Sequence, residues 1–97
     1  MTSEQKTFLQ SCREQYLGDL TGDIMPFWLR HGLDREHGGV YTCLDREGRL
    51  MDPTKSVWFQ GRFGYICAAA CNRIERRTEW LAASKSCIDF IERHCID

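Results

Sequence analysis

Apolar residues recur along the first third of the chain at steps of three and four: Phe8, Cys12, Tyr16, Leu20, Ile24 and Phe27. That spacing draws one stripe along a cylinder and predicts an amphipathic helix over about residues 4–29, with Ser3 as its N-cap. Gly18 and Gly22 weaken its middle by up to about 1 kcal/mol each relative to alanine. Pro26 has no amide hydrogen and is expected to bend the helix near its end, where Gly32 closes it. The pattern then changes. Asp34-Arg35-Glu36-His37-Gly38-Gly39 is turn chemistry, residues 40–44 are rich in β-formers, and Asp45-Arg46-Glu47-Gly48 is a second turn. Residues 49–51 can return as a partner strand, giving a hairpin too small to be stable unless it lies on a larger body.

Asp52-Pro53 reads as a cap followed by a first helical position, opening a helix over about residues 54–73. Val57, Trp58, Phe59, Phe63, Tyr65, Ile66, Cys67, three alanines and Cys71 leave it no polar face, which predicts burial on most sides. The last helix runs from a Thr78 cap to about residue 95. Trp80, Ser84, Cys87, Ile88, Ile91 and Cys95 mark one face and five charged residues the other. Two amphipathic helices cannot enclose a buried third one. The sequence therefore asks for more protein than its 97 residues supply, and self-association is the other way to provide the cover.

Composition narrows the class. Thirteen basic and 14 acidic residues are interleaved for a net charge of −1, which gives no field to draw nucleic acid or an anionic membrane. No run approaches the ~20 apolar residues of a membrane span. The N-terminus lacks an apolar signal core, so a cytoplasmic protein is expected. In that setting the six cysteines read as reduced and structural: there is no CxxC, and no Cys/His group has zinc-ligand spacing. No metal or cofactor is expected.

Arg62 is the residue that invites chemistry. It sits mid-helix among apolar side chains, where an unpaired charge costs several kcal/mol and the guanidinium cannot shed its proton. Lys55, Trp58 and Arg62 fall on one helical face, which Tyr65 continues. A guanidinium beside an indole and a phenol suits a carbohydrate pocket, the ring packing on sugar C–H surface and the fork donating to oxygens. A buried carboxylate that fixes helix packing would satisfy the same charge, and spacing alone leaves both readings open. Gln60 points the other way and is expected to hydrogen-bond structurally. Gly61 and Gly64 imply close approach by a helix or ligand. His31 and His94 end helices, where a cation suits the dipole, and His37 lies in a turn. The acidic Asp34, Glu36, Asp45 and Glu47 lack a calcium-loop pattern and read as solvated turns.

Several stretches resemble one family. Met25-Pro26-Phe27-Trp28-Leu29-Arg30-His31-Gly32 with Asp34 to Gly39, then Thr42 to Gly48, and above all Lys55-Ser56-Val57-Trp58-Phe59-Gln60-Gly61-Arg62 look like segments of the N-acylglucosamine 2-epimerase family. Glu79-Trp80-Leu81 also fits. The resemblance covers nearly the whole chain in order. It implies an all-α fold in which residues 1–97 are the N-terminal part, about the first quarter, of an (α/α)6 toroid with a short β-hairpin between its first two helices.

The activity it implies is interconversion of N-acetylglucosamine and N-acetylmannosamine by proton transfer at C2. Mannose isomerases and cellobiose 2-epimerases are the alternatives within the same family. Arg62 falls at an arginine that steadies the enolate-like intermediate, and Trp58 at an aromatic wall for the substrate. A homodimer of the parent protein is also expected. The family's acid/base histidines belong to later helices, and His31, His37 and His94 do not match them, so this chain alone is expected to be inactive. A catalytically dead helical interaction module is the reading from another class. Mammalian members of the family are also known as renin-binding proteins, which keeps partner binding in view.

Overall fold

The computed structural model describes residues 1–96. Its first helix, α1, spans Ser3–Asp19. The cap is Thr2 rather than Ser3. Thr2 Oγ1 accepts from the Gln5 amide at 3.1 Å while the Gln5 side chain takes the Thr2 amide at 2.9 Å, a reciprocal box that Ser3 has no partner to build. Regular α-helical winding is interrupted just before Pro26. The proline is accommodated by a wider turn, a π segment at Leu20–Ile24, after which α2 runs Met25–His31. The missing proline amide and the clash of its ring with the carbonyl four residues back are absorbed where the Met25 N–H reaches back five residues to Leu20. Gly32 closes α2 as expected.

Two short strands follow, β1 at Cys43–Leu44 and β2 at Leu50–Asp52, paired antiparallel with an irregularity at Cys43/Leu44. Val40 is not part of β1 but bridges to Leu33. Asp45 makes the tip: its Oδ1 accepts the amides of Glu47 at 2.9 Å and Arg49 at 2.8 Å. Gly48 holds φ at +95° there, with the His31 ring where a Cβ would stand.

The third helix, α3, spans Val57–Arg73 and starts later than Asp52-Pro53 predicts. Asp52 ends β2 and its carboxylate accepts the Thr54 amide at 2.9 Å, making a turn; the helix cap is Ser56, whose Oγ accepts from Phe59 N–H at 3.3 Å. The last helix, α4, spans Thr78–His94, with Arg77 rather than Thr78 in the cap position and no side-chain cap bond. Arg77 there pairs with Glu75 at 2.8 Å and stacks on Trp80.

The core lies between α3 and α4 and reaches Met25 of α2 and Val40 of the turn. Trp80, Met25, Val40, Cys67 and Cys87 are almost fully enclosed. Gly64 is where α4 comes closest: a Cβ would sit 3.3 Å from that of Cys87, and Ser84 Oγ donates to the Gly64 carbonyl at 2.8 Å. Gly61, expected to mark a similar approach, faces open space among the described residues.

Burial corrects one expectation outright. α3 is covered mainly by α4, with α2 and the turn at Val40 adding to that cover; Gln60, Phe63, Gly64, Cys67, Ala70 and Cys71 lie inside, and Val57, Trp58, Tyr65 and Ile66 are exposed. The apolar stripe of α1 is barer still: Phe8 and Tyr16 are about two-thirds exposed, and no residue of that helix is buried. Apolar positions expected to be covered on α1 and α3 are thus open among the described residues.

Candidate functional site

Trp58, Arg62 and Tyr65 line one shallow hollow with Val57 and Gly61 on the face of α3 turned away from α4. The Arg62 guanidinium carbon sits 4.5 Å from the centre of the Trp58 ring, stacked one helical turn from it. Arg62 also borders a second, apolar hollow of about 200 Å³, walled by Leu20, Ile24, Met25, Trp28, Phe59, Phe63 and Ile66. Trp28 and Phe59 meet across it with centroids 5.5 Å apart. The side chain therefore stands between an aromatic shelf and a greasy recess. It is exposed, and among the described residues no acid within salt-bridge distance pairs with it. The picture of a charge stranded inside a buried helix is thus corrected, because the face of α3 that carries it is open. What the pattern correctly placed together is the trio of indole, guanidinium and phenol.

Lys55 does not join them. It lies before the helix begins, and its ammonium is buried against Asp34, Nζ to Oδ2 at 2.6 Å and to the Gly38 carbonyl at 2.8 Å, over the rings of Tyr41 and Phe90. Asp34 was read as part of a solvated turn, yet its side chain is only 5% exposed. Its Oδ1 accepts the amides of Glu36 and His37, both at 3.0 Å. Burial by itself would raise this carboxyl, but the Lys55 ammonium and the two amide donors outweigh it and hold it well below the usual carboxylate range. Burial first, and then that neighbouring carboxylate, push the Tyr41 phenol above its ordinary value.

Gln60 behaves as expected of a structural group. Fully enclosed, its amide brackets the main chain of Val40, accepting that N–H at 2.7 Å and donating to that carbonyl at 2.6 Å. The Lys55–Asp34 pair is the element that sequence reasoning missed. Its signal was present: an Asp opening a Gly-Gly turn, and a Lys outside the helix once Ser56 is taken as the cap.

The histidines sit apart from this face. His31 packs on Phe27 at 5.1 Å, His94 on Phe90 at 4.8 Å, and His37 lies at the surface beside Asp34. Among the described residues no three His, Cys, Asp or Glu side chains are grouped to hold a metal ion, and no helix is long and apolar enough to cross a membrane. Cys67, Cys71 and Cys87 are buried free thiols that pack as small apolar groups, whereas Cys43 and Cys95 are exposed.

By fold the chain is a set of helices with one small hairpin insert, offering an arginine and two aromatics on an open helix face. Comparison with known proteins places it more narrowly. It is 38% identical over 96 residues to human N-acylglucosamine 2-epimerase, covering 97% of this chain and 22% of that protein. The bovine enzyme of the same name is 36% identical over 96 residues, again covering 97% of this chain and 22% of the relative. The rat one is 38% identical over 80 residues, 80% of this chain and 19% of the relative. No protein-family model matches. The chain belongs to the N-acylglucosamine 2-epimerase family and spans about a fifth of the length of the curated relatives it matches.

Proposed function

We propose that this chain is the N-terminal segment, about the first quarter, of an (α/α)6 toroid that interconverts N-acetylglucosamine and N-acetylmannosamine. Arg62 and Trp58 belong to its sugar site. The observation that carries the reading is the stacked Trp58–Arg62 pair on a face of α3 that is apolar, open and covered by nothing else among the described residues. The relatives' name supplies the reaction. In such a site the indole packs on sugar C–H surface, and the guanidinium is aimed at the oxygen that gains charge when the C2 proton leaves. A fixed cation there favours the transition state over the ground state. The stacking on Trp58 preorganises the fork without neutralising it.

His31, His37 and His94 sit apart from the Trp58–Arg62 face, and the family resemblance puts the acid/base histidines on later helices, so in this reading turnover needs the rest of the barrel. The same arrangement serves the mannose isomerase and cellobiose 2-epimerase chemistries, which differ in the sugar seated rather than in the arginine's task. The test is Arg62→Ala in the protein that carries this segment, followed by proton exchange at C2 of N-acetylmannosamine in deuterated water. A loss of about 10²–10³ in kcat with an unchanged melting temperature is expected from removal of one oxyanion donor. A variant that retains its kcat refutes the assignment.

The bare stripe of Phe8 and Tyr16 favours a second reading, an inactive module that pairs through its exposed apolar helices. Purified 97-residue chain that is inactive, folded and of defined oligomeric mass supports that reading. Purified chain that epimerises N-acetylmannosamine refutes both it and the need for further helices.

A further inference from the structure

Trp58 is the second residue of α3, in the turn where a helix frays unless something holds it. Its own ring does little to hold that turn, being 73% exposed and stacked on Arg62 one turn further along. The restraint comes from residues that never reach the open face. Ser56 N–H donates to Thr42 Oγ1 at 3.2 Å, and Gln60 clasps Val40 from the helix side. Lys55, immediately before the cap and 8% exposed, ties the start of the helix to Asp34 and to the Gly38 carbonyl. The turn it grips is itself fastened to α4, where Ser86 Oγ accepts the Gly39 amide at 2.9 Å.

We infer that Lys55 is the positioning residue of the Trp58–Arg62 pair: it fixes where α3 begins, and through that the direction in which the indole and guanidinium face. The purpose of the device rests on the sugar-site reading above, whereas the mechanical link does not. A lysine exposed on the pocket face would bind substrate. This one is turned inward, with its charge consumed by a buried carboxylate, so its influence on a ligand passes through the backbone it anchors.

The measurement uses the full chain labelled with 5-fluorotryptophan, whose three indoles, Trp28, Trp58 and Trp80, give separate fluorine resonances. Trp58→Phe assigns the one of interest. Arg62→Gln defines the position that resonance takes when the stack is lost. Lys55→Met is paired with Asp34→Asn so that no carboxylate is left buried alone. The double variant is expected to move the Trp58 resonance toward the Arg62→Gln position while that of Trp80, in the core, stays in place. A folded double variant with an unmoved Trp58 resonance overturns the inference.

Should the double variant unfold, hydrogen exchange of the unmodified chain decides. The Phe59 and Gln60 amides are expected to exchange as slowly as that of Cys67. Exchange on the order of a hundredfold faster, as at a frayed end, overturns the inference. Neither readout involves sugar. A Trp58 resonance that follows Lys55 while Arg62→Ala keeps its kcat leaves the positioning role standing and removes the sugar site alone.

Discussion

Gln60→Leu isolates the clasp that Gln60 makes on the main chain of Val40. Leucine nearly matches the glutamine in size, so the packing around α3 is kept while both bonds to Val40 vanish. Val40 is fully enclosed, which leaves its N–H and carbonyl without water or partner. An unsatisfied buried group costs about 1–3 kcal/mol, so two cost roughly 2–6, of which added apolar burial returns a part. A net loss of about 2–4 kcal/mol is a large share of the ~5–15 kcal/mol that ordinary domains of this size possess. With a slope of about 1–3 kcal/mol per molar urea, the midpoint should fall by roughly 0.7–4 M. Tryptophan fluorescence is the assay, since Trp80 lies in the core these elements share.

Gln60→Glu sharpens the test. A carboxylate can accept from Val40 N–H but donates to the carbonyl only when protonated, so its deficit relative to the unmodified chain should narrow as pH falls. A Gln60→Leu midpoint within ~0.3 M of the original refutes the reasoning, for it means these main-chain groups are satisfied some other way.

Acid should loosen the Asp34–Lys55 bracket. Asp34 binds its proton less tightly in the folded chain than in the unfolded one, so its contribution is complete above about pH 5 and drains away as pH falls through the lowered folded value. Asp34→Asn should lower the melting temperature at neutral pH and flatten its decline below about pH 5; an unchanged slope tells against the pair. Burial pushes the thiol of Cys67 up to about 12, with the adjacent Cys87 contributing, and that of Cys87 up to about 11. Iodoacetamide at pH 8 should therefore label Cys43 and Cys95 and reach Cys67 and Cys87 only after denaturant is added, as peptide mapping would show. Gly48→Ala should destabilise by more than ~1 kcal/mol, because it meets both a positive φ and the His31 ring, whereas Gly61→Ala should stabilise the isolated chain by about 0.5–1 kcal/mol. Urea melts of the two variants check the contrast.

The sequence was most legible where a pattern answers to local physics. The stripe of α1, the run of β-formers around Cys43 and the polar turn before Gly48 each announce their own geometry. Gln60 was legible because it points away from the Trp58–Arg62 face, where a polar side chain within an apolar helix must find an internal partner. Caps were less so. Thr2, Ser56 and Arg77 stand within a few residues of the expected Ser3, Asp52 and Thr78, and only the reciprocal bond to Gln5 or the actual course of β2 decides between them. Lys55 shows the larger difficulty. Three residues before Trp58 it belongs to the same face if the helix has begun, and to the interior if it has not. Arg62 was placed correctly beside Trp58 but in the wrong medium, because the apolar residues on its side of α3 are exposed here and pattern alone does not tell which apolar face is covered.

The outlying position of α1 bears on how the molecule melts. Seventeen residues touch little beyond the turn that prolongs them, and a free-standing peptide of that length holds its coil only marginally in water. Heat should thus dissolve it gradually and ahead of the remainder. Ellipticity at 222 nm would then slope downward well before the indole signal breaks, so the two probes report different events and a single midpoint describes neither.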